Sequence, residues 1–407
     1  MVNIPTRSGL SSWWRTELHQ LDSHISSESV PKEADVVIIG SGISGASVAY
    51  HLLQQHKGAN QPNITILEAR QACSGATGRN GGHLKPDPYS SIGHYAAEES
   101  KKAKAAFDHL SNLGLKSVKR VSFSDEKEAE ETSRVKGAKG CFSYETGHIW
   151  PYKLILHILS RCIDQGATLY THTPAQSISP EKDNAGLWTI NTPRGTVKAK
   201  QVVLACNAYT SAILPIYLSK FIPVRGVCCR IVPTHPVKRL TETYTLRWND
   251  DEADYLIPRD DGSIVVGGGW RIYSHDTGKW YNNANDNEMI ESVKEYFDDY
   301  MQRNFHGWEE SGAYVDKIWT GIMGYSSDSL PHVGHVPGKP GQFISAGFTG
   351  HGMPQAWLSG KGVAAMISDG VSFAESGVPR IFQTTQARLD QDRNDMLEMI
   401  HPSYPRL

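Results

Sequence analysis

With 407 residues the chain is long enough for two domains, and a net charge of −2 with a pI near 6.8 gives no electrostatic reason to expect nucleic acid or an anionic membrane as a partner. Six cysteines show neither CxxC nor metal spacing and read as reduced intracellular thiols; the 17 histidines form no HExxH and no Cys/His cluster, so no metal is expected. No apolar run reaches the length of a membrane span.

The opening MVNIPTRSGLSSWWRTELHQL lacks the apolar core of a signal peptide. It is Ser-rich and free of acids before Glu17, as transit peptides are, but Trp13 and Trp14 favour an N-terminal extension, residues 1–29, docked on the body of the protein. Pro405, Arg406 and Leu407 differ by one residue from a small-basic-Leu peroxisomal tail, so the expectation is a cytoplasmic protein with peroxisomal import as the other option.

The chain is organised around residues 35–68. Val36, Val37, Ile38 and Ile39 form an unbroken branched apolar run, which suits a strand buried on both faces. It stops at Gly40, Ser41, Gly42, Ile43, Ser44 and Gly45, a GxGxxG, after which Val48, Leu52 and Leu53 take up helical spacing. A second short strand ends on Glu68, 23 residues beyond Gly45, close to the usual position of the acid that holds a ribose hydroxyl. The glycines permit a tight turn and close approach of backbone to a pyrophosphate seated on a helix N-terminus. An acid here fits a free 2′-hydroxyl, hence FAD or NAD, and this stretch alone does not choose between them.

After Glu68, Ala69 and Arg70 come Ser74, Thr77, Gly78, Arg79, Asn80, Gly81 and Gly82, in a run of small residues able to bring backbone amides against a ligand. The early GxGxxG, the LEAR strand end and the SGATGRNGGH segment together resemble the FAD-dependent glycine/D-amino-acid oxidase superfamily, in particular its γ-glutamylputrescine oxidase and sarcosine oxidase branches. The resemblance implies that residues 74–82 line the flavin, and that Ala175 and Gln176 approach the adenine through their backbone. It also implies that Gly347, Phe348, Thr349, Gly350, His351 and Gly352 form a second turn against the flavin ring, opening a helix over 354–366. The cysteinyl flavin link of the sarcosine oxidase branch lies near that second turn; no cysteine follows Cys229, so FAD is expected to be noncovalent.

Between these motifs, helical spacing covers 92–115, a charged stretch at 124–137 reads as a solvated helix, and Pro151 opens a helix ending at Gly166. A strand over 167–171 continues into HTPAQSI, and a hairpin feeds a parallel strand at 201–204. Cys206 reads as a small core residue rather than a nucleophile. Short alternating segments over 223–308, with a turn at Asp260, Asp261 and Gly262, indicate antiparallel strands, and residues 287–305 have the pattern of one amphipathic helix. The expectation is an α/β fold: a Rossmann-type FAD-binding domain (30–95, 145–222 and 309–390) joined to an α+β substrate domain built on an antiparallel sheet (96–144 and 223–308).

The resemblance implies oxidation of a C–N bond of an amine or amino acid to an imine, with O2 as acceptor and H2O2 as product. The alternative is a non-catalytic FAD-binding assembly or scaffold protein. His83, Lys85 and His351 are the catalytic candidates. Lys85 is either a substrate contact or a solvated loop lysine, and His351 either faces substrate or holds its own loop. Arg225 and Arg271 are placed near the flavin-facing sheet, each able to pair with a carboxylate or to make a structural ion pair.

Overall fold

An apolar run with no polar break has no face to offer water, and in the computed structural model residues 36–39 lie at the centre of the larger sheet. The structure describes residues 5–6, 9–55, 61–85, 99–114, 118–248 and 252–400. Its strands in chain order are β1 (Glu33–Ile39), β2 (Ile64–Leu67), β3 (Val121–Ser124), β4 (Cys141–Tyr144), β5 (Thr168–Tyr170), β6 (Ser177–Ile178), β7 (Trp188–Thr192) and β8 (Gly195–Leu204). There follow β9 (Phe221–Val232), β10 (Tyr244–Arg247), β11 (Ala253–Pro258), β12 (Ile264–Gly267), β13 (Tyr314–Ser326), β14 (His332–His335) and β15 (Gln342–Ala346).

The larger sheet has the order β14-β15-β8-β1-β2-β5, with β7 on β8 and β6 on β7. From β15 to β5 every pairing along that path is parallel. The helices Ile43–Gln55, Pro151–Asp164 and Gly352–Ser368 share its core. Helix Gly352–Ser368 packs hard on Ile43–Gln55: a Cβ on Gly360 would lie 2.5 Å from Ser47 Oγ, which donates to the Trp357 carbonyl at 2.6 Å.

The second sheet, β10-β11-β12-β9-β13, is antiparallel throughout. Its β11–β12 hairpin turns at the expected Asp260-Asp261-Gly262, with Gly262 at φ +83°. Trp280, Phe297, Tyr300, Phe305 and Trp308 are buried behind this sheet. Fold class and the two kinds of sheet follow the sequence expectation.

Several local expectations do not hold. Residues 287–305 form two 3-10 turns, Glu291–Val293 and Glu295–Phe297, and a short α-helix, Tyr300–Asn304, instead of one continuous helix. Asp298 is extended and Asp299 left-handed (φ +52°), and consecutive pairs Tyr296/Phe297 and Tyr300/Met301 are all buried, which one helical stripe cannot achieve. Only Ala129–Ser133 of the charged stretch is helical; Arg134 ends it at φ +61°, and Ala129, Ser133 and Val135 are buried, so the segment is not simply solvated. The strand at 168 stops at Tyr170, because His172 turns left-handed (φ +51°) and Ser177–Ile178 joins β7 as a separate strand. Residues 314–326, assigned above to the first domain, run beside β9 almost end to end and belong to the antiparallel sheet. The helix expected from residue 92 is Glu99–Asn112, and residues 92–98 and the 405–407 tail lie outside the described residues.

The N-terminal arm docks as its tryptophans suggested. Trp13 and Trp14 are buried against Trp150, whose indole N–H donates to the Trp14 carbonyl at 2.7 Å. Arg230 and Arg259 lie over the rings of Trp13 and Trp14. Truncating a fully buried Trp such as Trp14 costs about 3–5 kcal/mol, so the arm is part of the fold. Among the described residues no helix is long and apolar enough to cross a membrane, and no side-chain group could hold a metal ion.

Candidate active site

β1 delivers the chain to Gly40, whose φ of +111° and position 2.6 Å (as an added Cβ) from the Ala205 carbonyl exclude any side chain. A Cβ on Gly45 would lie 2.0 Å from the Gly40 carbonyl, so the helix starts directly on the turn. Gly42 differs: its Cβ would meet only Thr77 Oγ1, at 3.0 Å, so its bareness leaves open space at the cavity wall rather than relieving the fold. Thr77 Oγ1 accepts the Ile43 N–H at 3.1 Å, joining the turn to the 71–82 loop. Glu68, at the end of β2, accepts from Ser41 N–H (3.1 Å) and Ser41 Oγ (2.7 Å) through Oε2, and from Arg70 N–H (3.0 Å) through Oε1. A carboxylate accepts about four hydrogen bonds, so it keeps capacity for a ribose hydroxyl.

The 71–82 loop is held from below by buried charge. Arg70 lies 2.9 Å and Arg79 3.4 Å from the carboxylate of Asp286, which the second domain supplies. Arg79 also donates to the carbonyls of Ser74 (2.7 Å) and Thr320 (2.9 Å). Thr77, Arg79, Asn80 and Gly81 reach the cavity, as do Ile43, Ser44, Ala69 and Arg70. Ser74, Gly78 and Gly82 stand behind its wall: a Cβ on Gly78 would meet the Cys73 carbonyl at 2.1 Å, and one on Gly82 would meet Ile149 and Trp14. A Cβ on Gly81 would lie 2.1 Å from the Tyr255 ring, so this glycine lets the second sheet close on the loop. Ala175 and Gln176 form wall at the nucleotide end, with Gln176 N–H bonded to Asn191.

The second glycine turn enters from β15. Gly347 (φ +73°) abuts Phe221 and donates to Asn207 Oδ1 at 2.9 Å, while Phe348, Thr349, Gly350, His351 and Gly352 line the cavity. Thr349 is left-handed (φ +48°), and His351 Nδ1–H donates to its carbonyl at 3.0 Å. His351 therefore holds its own loop while sitting exposed at the rim. The helix Gly352–Ser368 begins there with its unpaired N–H groups, the positive end of its dipole, at the cavity.

Beyond this turn, the wall comes from the second sheet. His83 Nε2 bonds the Leu256 carbonyl at 3.2 Å and contacts the Thr243 hydroxyl, and its ring lies 5.4 Å from Tyr255. Burial first, then the neighbouring Lys85 charge, lower its pKa to about 3, so His83 is a neutral imidazole. Lys85 lies on the same wall. Arg225 and Arg271 do not: Arg225 donates to the carbonyls of Lys279 (3.1 Å) and Glu288 (2.6 Å), and Arg271 covers the Tyr296 ring. Sequence reasoning missed Tyr255, bonded to Cys228 Sγ at 3.1 Å, and Asp254, which accepts from Trp248, Tyr300 and the Gly269 N–H. Asp286 was missed too; no local pattern marks any of them. Burial pushes the Cys206 thiol up to about 11, which keeps it protonated and unfit as a nucleophile.

All these walls line one partly open cavity of about 2530 Å³, larger than the usual small-ligand pocket and able to take a dinucleotide with a substrate. The residues fit FAD: an acid at the end of β2, a turn whose Gly42 Cβ is missing where backbone meets ligand, and a helix N-terminus at the second turn. Tyr209 Oη and Gln355 Oε1, both buried without a partner and both on residues of the wall, have hydrogen-bonding capacity that a ligand can satisfy.

Known proteins agree. Glycine oxidase of Bacillus licheniformis is 24% identical over 380 residues, spanning 83% of this chain and 93% of its own. Mitochondrial dimethylglycine dehydrogenase of Mus musculus is 23% identical over 389 residues, spanning 84% of this chain but 43% of its own length. The solved glycine oxidase of Geobacillus kaustophilus shares the fold with a TM-score of 0.66 at 18% identity, covering 88% of this chain and 99% of that one. L-amino acid deaminase of Proteus vulgaris with its specific insertion sequence deleted gives 0.65 at 18% identity over 89% and 96%. The family profile described as FAD dependent oxidoreductase matches residues 35–116 and 89–366. The chain belongs to this DAO family of FAD-dependent oxidoreductases.

Proposed function

We propose that the protein oxidises the C–N bond of an amine or amino acid to an imine, with O2 as electron acceptor. Two electrons and two protons leave the substrate, O2 takes them up as H2O2, and water then hydrolyses the imine. The observation that carries this reading is the continuity of the cavity from the glycine turn at residue 40 to the aromatic wall of the second sheet. Substrate and cofactor would share one continuous space, and the relatives named above carry amino acids or their derivatives in their names.

FAD, when bound, supplies the hydride acceptor for this chemistry. The chain's own residues supply position and environment. Tyr255, Trp270, Tyr273 and Tyr325 line the substrate end and displace water, which disfavours the ammonium form and leaves a neutral amine ready to lose hydride. Neutral His83 adds no charge of its own, and it holds a fixed orientation through Leu256 and Thr243. The helix at Gly352 presents its positive dipole end to the same space, where it stabilises negative charge developing during reduction. No side chain is needed as a dedicated base.

The test is O2 uptake and peroxide release by the purified protein with a panel of secondary amines and amino acids. One peroxide per O2 consumed is expected. Flavin reduction by a panel member without O2 uptake would make the protein a dehydrogenase.

A further inference from the structure

The family match begins at residue 35, yet the arm before it and a carboxylate from the second domain converge on the cofactor loop. Asp286 is fully buried and lies between Arg70 and Arg79, both on the cavity wall. Thr6 of the arm donates to its Oδ1 at 2.6 Å, and Leu10 N–H donates to its carbonyl at 2.9 Å. Thr320 Oγ1, on β13, also bonds that carbonyl. Gly9 passes so close that a Cβ there would sit 2.4 Å from Arg79 Nη2. The arm, the cofactor loop and β13 thus meet at one residue, the first two at its carboxylate, and nothing in the oxidation requires it.

We propose that Asp286 is a cofactor-positioning residue: it fixes Arg70 and Arg79, whose guanidiniums hold the Ser74 and Thr320 carbonyls and so set the 71–82 loop against FAD, with the N-terminal arm acting as the latch. A buried guanidinium without a partner is costly, and two facing one another without Asp286 would repel and turn away from the wall. The inference rests on FAD as cofactor and not on the substrate proposed above.

Its sign makes it testable. Asp286→Asn adds one net positive charge behind the cofactor loop, so attraction of an anionic ligand through the field alone would tighten binding. Positioning requires the opposite. Titrating apoprotein with FAD and, separately, with ADP, the account expects both dissociation constants to rise at least about tenfold in Asp286→Asn, with recovery in Asp286→Glu. Thr6→Val removes the hydroxyl through which the arm bonds Asp286 and Arg70, leaves both charges of the pair in place, and should weaken ADP about threefold. Unchanged or tighter ADP binding in folded Asp286→Asn would overturn the proposal, even if its melting temperature fell. If that variant does not fold, Thr6→Val decides, and unaltered ADP affinity there overturns it. Wild-type protein that binds neither ADP nor FAD would instead refute the cofactor assignment itself.

Discussion

The two ends of the cavity are built on different principles. At the nucleotide end the ligand-facing groups are mostly backbone, exposed by glycines at 40 and 42, with one acid at a strand end. At the substrate end they are side chains of β9, β11 and β13 and of the loops after β12, brought together by strands far apart in sequence. Backbone sites depend on where side chains are missing, which a short motif records. Side-chain sites depend on register and twist, which it does not.

The largest expected effect tests the first half of that contrast. Gly42→Val should raise the FAD dissociation constant of the apoprotein at least about 100-fold, about 2.7 kcal/mol, because the side chain enters ligand space. The protein should still fold, since only Thr77 must give way. Gly45→Ala should instead lose folded protein, its Cβ being 2.0 Å from backbone. Equal behaviour of the two variants, judged by soluble yield and circular dichroism, would erase the distinction between ligand-facing and packing glycines.

Tyr255→Phe probes the other end. The ring that Gly81 accommodates remains, while the hydroxyl bonded to Cys228 is lost. FAD affinity should stay within about twofold, with kcat/KM falling up to about tenfold, or 1.4 kcal/mol. A matching loss of FAD would mean that the ends are not separable.

His83 gives a pH signature. The unfolded chain takes up its proton near the ordinary imidazole value of about 6.5, whereas the folded protein does so only near 3. Between these values the unfolded state holds more protons, so stability falls as pH drops from about 6.5 toward 3. By about pH 5.5 the loss is roughly 1.4 kcal/mol. His83→Gln should flatten that part of the urea-midpoint profile; an unchanged slope would show that His83 is already charged.

The smallest effect is expected at His351→Ala, which removes the bond to the Thr349 carbonyl from an exposed residue. FAD affinity and turnover should each fall about threefold. Turnover falling much further than affinity would place His351 against the substrate.

What the sequence made legible follows the same line. The order of motifs, both sheets, the hairpin at residue 260 and the docked tryptophans could be read because each depends on local pattern. The helix expected over 287–305 could not, since tertiary burial of adjacent aromatics overrode its amphipathic spacing. Arg225 and Arg271, open in the sequence to a carboxylate ligand or a structural ion pair, hold carbonyls and a ring instead. Asp286 and Tyr255 carry no motif; their importance comes from what folding places beside them.

The central claim is that one cavity holds FAD at its backbone end and a reducing amine at its side-chain end. Anaerobic titration of the FAD-loaded protein with secondary amines and amino acids tests it most directly. The account predicts bleaching of the flavin absorbance by at least one of them, with Gly42→Val showing no flavin to bleach. Stoichiometric FAD that no member of a broad panel reduces would contradict it and favour a scaffold without turnover.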